Sequence, residues 1–334
     1  MGDPSGWRIS RRFPTEIMSL DTWPLAAALQ PFDRILLAGA GGGFDIYSGL
    51  PLYDMLRQLG KEVHLANLSF APMTRKPERQ LAEACTRVDA DLEEYGNYCP
   101  EFRLSTWFRE NRREEVPIYC FPQVGVRPLR DAYQVLVDHL RLEAIVLVDG
   151  GTDSLMRGDE AGLGTPEEDV ASIAAVSGCG IDAAFLATIG FGIDTFHGIC
   201  HAQFLESVAA LTASGDFLGV ASVLPGSEGA EAFVSAVDFA NERTIGRESI
   251  VQNSLASAVE GTFGDHHRTE RTRGSQLWIN PLMPIYWGFH LAGVARRNLY
   301  LERITETESM FEITSAIQQF RGQIGTRGWD EMPV

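Results

Sequence analysis

Three polar turns carry the residues whose types and spacing could do chemistry. The first is "GAGGGFD" (39–45), which places four glycines ahead of an acid. Glycine lets the backbone turn its N–H groups outward, and an anion is favoured where such a bend opens a helix. We therefore predict that this turn binds a phosphate or carboxylate of a ligand. The predicted cofactor-binding residues are Gly39, Gly41, Gly42, Gly43 and Asp45.

The second turn, "VDGGTDSLMRGDE" (148–160), is acidic and bends at two glycines. Its carboxylates could coordinate Mg²⁺, accept hydrogen bonds from sugar hydroxyls or hold a cationic amine, with Arg157 as a countercharge. We predict that Asp149, Gly150 and Gly151 bind the cofactor. Asp153 is a predicted catalytic residue.

The third turn, "TIGFGIDTFHGICHAQ" (188–203), combines an acid with two histidines. Asp194 can cap a helix that carries His197 and His201 four residues apart, and hence on one face. Under one interpretation, His197 and Asp194 are catalytic, because an imidazole titrates near neutral pH. Under the alternative interpretation, Asp194, His197 and His201 hold a divalent metal ion.

A later histidine cluster, "GDHHRTER" (264–271), has no role that its sequence defines. The chain contains no GxSxG elbow, Walker A sequence, HExxH helix or EF-hand loop. These absences argue against the enzyme classes that such motifs identify.

The turns follow short apolar runs, and amphipathic helical patterns separate the runs. This alternation predicts an α/β fold with a Rossmann-like, doubly wound and mostly parallel sheet of about six or more strands flanked by helices. The predicted strands are 34–39, 62–70, 117–125, 144–151, 182–190 and 217–226. Parallel strands end on one edge, so Asp45, Asp149, Asp153, Asp194 and His197 should line one cleft.

Boundary signals place the helix at 164–178 most clearly. Thr165 is the predicted N-cap, Pro166 occupies the first helical position, and Glu168 completes a capping box. We predict an N-terminal extension (1–30) and a single α/β domain (31–325) with an insertion at 72–115 that could act as a lid.

The composition argues against several kinds of partner. A formal net charge of −17 repels nucleic acids and anionic membranes. The five cysteines stand singly, and no stretch has the length of a signal peptide core or membrane span, so we expect a cytoplasmic protein. The aromatic run "LWINPLMPIYWGF" (277–289) predicts a subunit interface in a homo-oligomer, and the remaining partner is a small-molecule ligand.

Three segments resemble the uncharacterised family catalogued as domain of unknown function 1152. They are "LLAGAGGGFDIYSGLPLYDML", "VDGGTDSLMRGDE" with "GLGTPEEDVASIAAV", and "TIGFGID". The resemblance covers most of residues 30–325 and implies a Rossmann-like α/β protein without a settled activity.

A fainter similarity is to the sirtuin and deoxyhypusine-synthase type of NAD-binding fold. It rests on Gly39-Ala40-Gly41 followed by Ser48-Gly49-Leu50-Pro51, and on "GIDTFH" (192–197). The paired CxxC motifs of sirtuins are absent from the sequence, so we do not predict a protein deacylase.

Three functions are compatible with these residues. The first is a small-molecule enzyme, a transferase or hydrolase, that binds NAD, another nucleotide or another phosphorylated or carboxylated ligand and acts at a glycosidic or other C–N bond. The second is a metal-dependent hydrolase or lyase that uses the Asp/His cluster. The third is a binding or regulatory protein without turnover.

Overall fold

The computed structural model describes residues 23–72, 77–92 and 98–328. All strands of this described part belong to one sheet. In chain order they are β1 Arg34–Gly39, β2 Glu62–Leu68, β3 Gln80–Ala82, β4 Cys85–Val88, β5 Ile118–Phe121, β6 Ala144–Asp149, β7 Ala184–Thr188, β8 Phe217–Ser222 and β9 Ile285–His290.

The centre of the sheet is parallel and has the strand order β5-β2-β1-β6-β7. Counted along the chain, these are the third, second, first, fourth and fifth parallel strands, which is the order of a Rossmann-like, doubly wound sheet. The predicted fold class is confirmed. β1 and β6 lie in the interior, as their unbroken apolar sequences predict.

Helices cover both faces of the sheet. They are α1 Pro24–Leu29, α2 Asp45–Ser48, α3 Leu50–Gln58, α4 Pro100–Trp107, α5 Val126–Leu140, α6 Pro166–Gly178, α7 His201–Ala213, α8 Glu228–Arg243, α9 Ile250–Val259, α10 Leu291–Arg297, α11 Leu301–Ile304 and α12 Met310–Arg321. Alternate residues of β1 point to opposite faces. Ile35 and Leu37 pack in one core with α3, α8 and α9, whereas Leu36 and Ala38 pack in the other with α5, α6 and α12.

Antiparallel strands extend both ends of the parallel centre. β4 pairs with β5, and β3 pairs with β4. At the other end, β9 pairs with β7, and β8 pairs with β9. The predicted strand at 217–226 therefore exists as β8, but it is an antiparallel edge strand.

The aromatic run at 277–289 forms much of β9, where sequence analysis predicted a subunit surface. β9 lies inside the sheet, and both Tyr286 and Phe289 are fully buried. A Cβ atom on Gly288 would lie 2.9 Å from Trp23, so this glycine lets α1 pack closely on β9. The aromatic bulk is thus used within the fold, and the homo-oligomer stays a prediction.

The described part of the predicted insertion at 72–115 contributes the strands β3 and β4, of which β3 is an edge of the sheet, and the helix α4. Its function as a lid stays a prediction. Most of the predicted extension (1–30) lies outside the described residues, although its last turn forms α1 against β8 and β9. No helix in the described part has the length and apolar character needed to cross a membrane.

Candidate functional site

The order of the parallel strands reverses between β1 and β6. From β1 the chain continues to β2 on one side, and from β6 it continues to β7 on the other. In open α/β sheets, ligands bind outside the carboxyl ends of the strands at such a point. Gly39 pairs with Val148 across the two strands, so the turns that follow β1 and β6 leave the sheet side by side.

The glycine-rich bend after β1 uses most of its amides internally. The Ala40 amide donates to the Val148 carbonyl at 2.8 Å, and the Gly43 amide donates to the Leu68 carbonyl at 3.0 Å. The Gly41 amide donates to Asp45 Oδ2 at 2.8 Å. A side-chain carboxylate thus occupies the place that sequence analysis assigned to a ligand anion, and α2 is too short to add a helix-terminus site.

Two of these glycines are required by backbone conformation, and others by close packing. Gly42 and Gly43 have φ of 86° and 59°, a region that other residues rarely adopt. A Cβ atom on Gly41 would lie 2.7 Å from Asp45 Oδ2 and 2.9 Å from Asp169 Oδ1. The bend is therefore shaped to let carboxylates lie against the backbone.

Gly150 and Gly151 likewise let carboxylates lie against the backbone, in the turn after β6. A Cβ atom on Gly150 would lie 3.0 Å from Asp45 Oδ1, and one on Gly151 would lie 2.8 Å from Asp194 Oδ2. The two predicted cofactor-binding glycines thus allow carboxylates from separate turns to approach each other.

Five aspartates meet around these glycines: Asp45, Asp149, Asp153, Asp169 and Asp194. One carboxylate oxygen from each of Asp45, Asp149 and Asp169 lies within 4.8 Å of the other two. Asp149 and Asp169 are each 3% exposed, whereas Asp45 keeps partial contact with solvent. The cluster is thus buried on the sheet side and accessible from the Asp45 side.

Besides Asp45, which accepts from the Gly41 amide, hydrogen bonds fix three more of the five side chains. Asp149 accepts from the Gly151 amide at 2.7 Å and from the Ser154 hydroxyl. Asp194 Oδ2 accepts from the Thr152 amide at 2.7 Å. In the same manner, Asp153 Oδ2 accepts from the Thr165 amide at 2.9 Å. Thr165 occupies the predicted N-cap position of α6, with Pro166 after it, but its hydroxyl donates to Asp153 and makes no capping hydrogen bond.

Burial raises the pKa of each of the five carboxyl groups, and repulsion between them adds to the effect in most. For Asp149, burial and then the charge of Asp153 raise the pKa to about 7. Burial and then the charge of Asp149 raise the pKa of Asp45 and of Asp169 well above the usual value. The pKa of Asp194 is raised in the same direction by burial and then by Asp153.

The cluster lacks a compensating cation among the described residues. No described lysine or arginine forms an ion pair with any of the five aspartates. The exposed His197 is close enough for its charge to lower the pKa of Asp153, although burial raises that pKa more. Arg157, a predicted countercharge, pairs instead with Asp159 at 2.6 Å. An uncompensated group of buried carboxylates is costly, so a bound cation would stabilise it.

A comparison with protein-family models matches residues 108–324, more than half of the chain, to the family described as "Protein of unknown function (DUF1152)". The chain belongs to this family. Neither the comparison with curated proteins nor the one with solved structures gave a match. The similarity to the sirtuin and deoxyhypusine-synthase fold is therefore not supported by these comparisons.

The part of this DUF1152 protein that matches the family model contains four of the five aspartates. Asp149, Asp153, Asp169 and Asp194 lie inside the matched range, and Asp45 lies before it. The glycine-rich bend that opens the site is thus outside the matched segment.

Asp169 lies in the first turn of α6 and is not among the site residues predicted from sequence. It stands after Glu167 and Glu168, and acids at a helix start usually serve the helix dipole. Its helical period carries no distinguishing signal, because every residue of α6 from Asp169 to Val176 is buried. Asp169 precedes Ser172 by three residues, and the Ser172 hydroxyl donates to the Ala40 carbonyl at 2.7 Å, so Asp169 belongs to the face next to the bend after β1.

The predicted metal set of Asp194, His197 and His201 does not form among the described residues. Asp194 and His197 belong to a short 3₁₀ turn, Ile193–His197, whereas His201 begins α7. Gly198, with φ of 84°, separates the two elements, so the histidines do not lie on one helical face. His201 stacks on Phe191 with ring centroids 4.9 Å apart.

The later histidine cluster lies beside a neighbouring cavity. His267 Nδ1 is 3.0 Å from the Thr272 hydroxyl, and its Nε2 is 3.2 Å from Asp265. Asp265 lines a cavity of about 470 Å³ together with Ile193 and Thr195, the residues on either side of Asp194.

Proposed function

We propose that the chain is a divalent-metal-dependent enzyme, a hydrolase or transferase, that acts on a small molecule. Asp45, Asp149 and Asp169 would hold the ion. The observation that carries the proposal is the approach of their oxygens to within 4.8 Å of one another at the switch point of the sheet.

The unpartnered oxygen of Asp169 supports a ligand at this place. Asp169 Oδ1 is buried and accepts no hydrogen bond from the described residues. Asp169 Oδ1 lies 2.9 Å from the point where a Cβ atom on Gly41 would stand. Asp45 Oδ2 lies 2.7 Å from the same point, so the two carboxylate oxygens approach each other beside Gly41. A buried acceptor without a donor is costly, and a cation at this point would satisfy it.

The donor set favours a hard cation. All three groups offer carboxylate oxygen, which suits Mg²⁺, Mn²⁺ and Ca²⁺ better than zinc. Two oxygens bound to one ion lie up to about 4.2 Å apart for Mg²⁺ and about 5 Å apart for Ca²⁺. Waters and the ligand would complete the coordination on the side where Asp45 meets solvent.

A metal ion also accounts for how an anionic ligand could bind here. Direct binding of phosphate to the bend is disfavoured, because three of its amides have internal partners and carboxylates surround it. A bound divalent ion would reverse the local charge and accept a phosphate or carboxylate oxygen. The nucleotide or other phosphorylated ligand predicted from sequence would therefore be reached through the ion.

Asp153, which is not one of the proposed ion ligands, suits proton transfer. Burial raises its pKa above the usual value, and it lies within range of His197. A carboxyl group with a raised pKa holds its proton at higher pH and can act as a general acid or base. The ion as Lewis acid and such a carboxyl group are the two parts that cleavage of a glycosidic or other C–N bond would use.

Calorimetric titration with Mn²⁺ tests the ion site. Chelator-treated protein should bind about one Mn²⁺, and Asp45→Asn or Asp169→Asn should remove most of that binding. Asp131→Asn is the matched control, because Asp131 is exposed on α5 and should leave binding unchanged. Unchanged Mn²⁺ affinity in both cluster variants would overturn the ion site.

Turnover separates an enzyme from a binding protein. Nucleotides and sugar phosphates would be incubated with the protein in Mn²⁺ or in chelator, and products followed by NMR. Metal-dependent product that Asp45→Asn abolishes supports the enzyme, whereas tight metal-dependent ligand binding without product supports a regulatory role.

A further inference from the structure

A second cavity shares a wall with the carboxylate cluster. It has a volume of about 470 Å³ and is lined on one side by Gly192, Ile193 and Thr195. Asp194, within the same turn, faces the other way and accepts from the Thr152 amide at 2.7 Å. One turn of chain thus separates the cavity from the cluster, and a single small molecule could contact both.

The walls of this cavity are largely apolar. Ile193, Leu277 and Met283 line it and are each less than a tenth exposed. Trp278 closes one side and is 50% exposed. An indole that keeps half of its surface in solvent beside an apolar floor is suited to stacking on a flat ring.

Neighbouring rings hold Trp278 in place. The His201 ring lies 5.9 Å from Trp278, edge to face, and itself stacks on the buried Phe191. A Cβ atom on Gly192 would lie 2.9 Å from His201 Nε2, so the glycine is needed for this packing. The contact with His201 therefore limits the orientations of the indole, which reduces the entropy lost when a ring stacks on it.

The polar edge of the cavity has unused hydrogen-bonding capacity. Asp265 Oδ1 accepts from the Leu277 amide at 2.9 Å and lies near His267, whereas Asp265 Oδ2 has no partner among the described residues. The exposed Gln276 amide lines the same edge. The free oxygen of Asp265 can accept a hydrogen bond from a ligand, and the Gln276 amide can donate one. A ligand that carries a donor beside an acceptor would satisfy both groups.

We propose that this cavity binds a planar heteroaromatic ring that carries an amino group, the chemistry of an aminopurine base. The ring stacks on Trp278, its amino group donates to Asp265, and a ring nitrogen accepts from Gln276. The volume lies within the range of small-molecule sites. Contact of the same ligand with the metal ion rests on the proposed function, whereas binding of the ring in the cavity does not.

Adenosine without phosphate is the probe, because it tests the cavity without the ion. Calorimetry in chelator should detect adenosine binding, and purine riboside, which lacks the amino group, should bind about tenfold more weakly. Trp278→Ala should weaken adenosine binding about tenfold or more, and Trp278→Phe should restore most of it. Asp265→Asn keeps an acceptor for the Leu277 amide and should remove the preference for adenosine over purine riboside.

Crossed variants separate the two proposals. Asp45→Asn should lose Mn²⁺ binding and keep adenosine binding, whereas Trp278→Ala should do the reverse. If Mn²⁺ does not bind but adenosine binding depends on Trp278, the ion site fails and the ring site stands. Absence of adenosine binding, or binding unchanged in both Trp278→Ala and Asp265→Asn, overturns the ring site whatever the metal does.

Discussion

Asp169 has an uncompensated environment at the scale of the single residue. It is 3% exposed, its Oδ1 atom has no described partner, and its neighbours Asp45, Asp149 and Asp153 are also acids. Its carboxylate lowers the stability of the metal-free chain, because burial and like charges both oppose ionisation. Such a residue is expected where ligand binding, not folding, is its role.

Replacement of this carboxylate should separate stability from binding. Asp169→Asn removes one charge at nearly constant shape, so we expect the metal-free protein to gain about 1 kcal/mol in free energy of unfolding. Urea denaturation in chelator measures this gain. Asp131→Asn, on the exposed face of α5, should change it little. A less stable metal-free Asp169→Asn protein would mean that the carboxylate is structural.

Asp149 determines a dependence of stability on pH. Its pKa rises from 3.8 to about 7 on folding, so between these two values unfolding releases a proton. The free energy of unfolding should therefore fall as the pH rises through this window, by up to about 1.4 kcal/mol per pH unit. Above pH 7 this group adds no further change.

The measurement is a series of urea denaturations between pH 4.5 and 7.5 in chelator, with Asp149→Asn as the comparison. The variant should lose stability less steeply with rising pH. Saturating Mn²⁺ stabilises the ionised form, so the gain from the ion should grow with pH. Equal slopes for the two proteins would contradict the raised pKa.

At the scale of elements, β9 connects the edge of the sheet to the site. Tyr286 on β9 donates its hydroxyl to the Ser48 carbonyl at the end of α2. The Ser48 hydroxyl in turn lies 2.9 Å from the Gln252 amide of α9. A strand that sequence analysis did not predict thus holds α2, the helix that begins with Asp45.

Tyr286→Phe removes this link without leaving a large cavity. The buried Ser48 carbonyl would lose a donor, so we expect a loss of about 1 kcal/mol in free energy of unfolding. Tyr119→Phe on β5 is the control, since its hydroxyl has no hydrogen bond in the described structure. Equal urea midpoints for the two variants would argue against the link.

At the scale of the whole molecule, β8 is the last strand at one end of the described sheet. In the described part, β8 pairs only with β9, and Val220 on β8 is 44% exposed. Unpaired edge strands can pair with a second copy. The candidate interface for the homo-oligomer predicted from sequence is therefore the edge of β8, and not the aromatic run of β9.

Light scattering at micromolar concentration tests this association. We expect the wild-type chain to be a dimer and Val220→Lys to be mostly monomeric, because an exposed lysine blocks edge pairing. Val135→Lys is the matched control, since Val135 is 39% exposed on α5. A monomeric wild-type protein would rule out this interface, and a dimeric Val220→Lys protein would move it elsewhere.

The parallel centre of the fold could be predicted from sequence. Runs such as 34–39 and 144–149 are apolar without polar alternation, and helical patterns separate them, so local pattern and topology agree. β9 was not predicted, since its aromatic residues point to both faces and its pairing partners, β7 and β8, are distant in sequence. Strand pairing of that kind depends on packing that no local pattern records.

The candidate site divides in the same way. Polar turns after strands predicted that Asp45, Asp149, Asp153 and Asp194 belong together, because parallel strands end on one edge. Only the tertiary structure decided that Asp169 joins them and that His201 packs against aromatic rings. It also decided that the amides of the bend are already bonded. Residue types limit the chemistry of a turn, whereas the direction and partner of each side chain depend on contacts made across the whole fold.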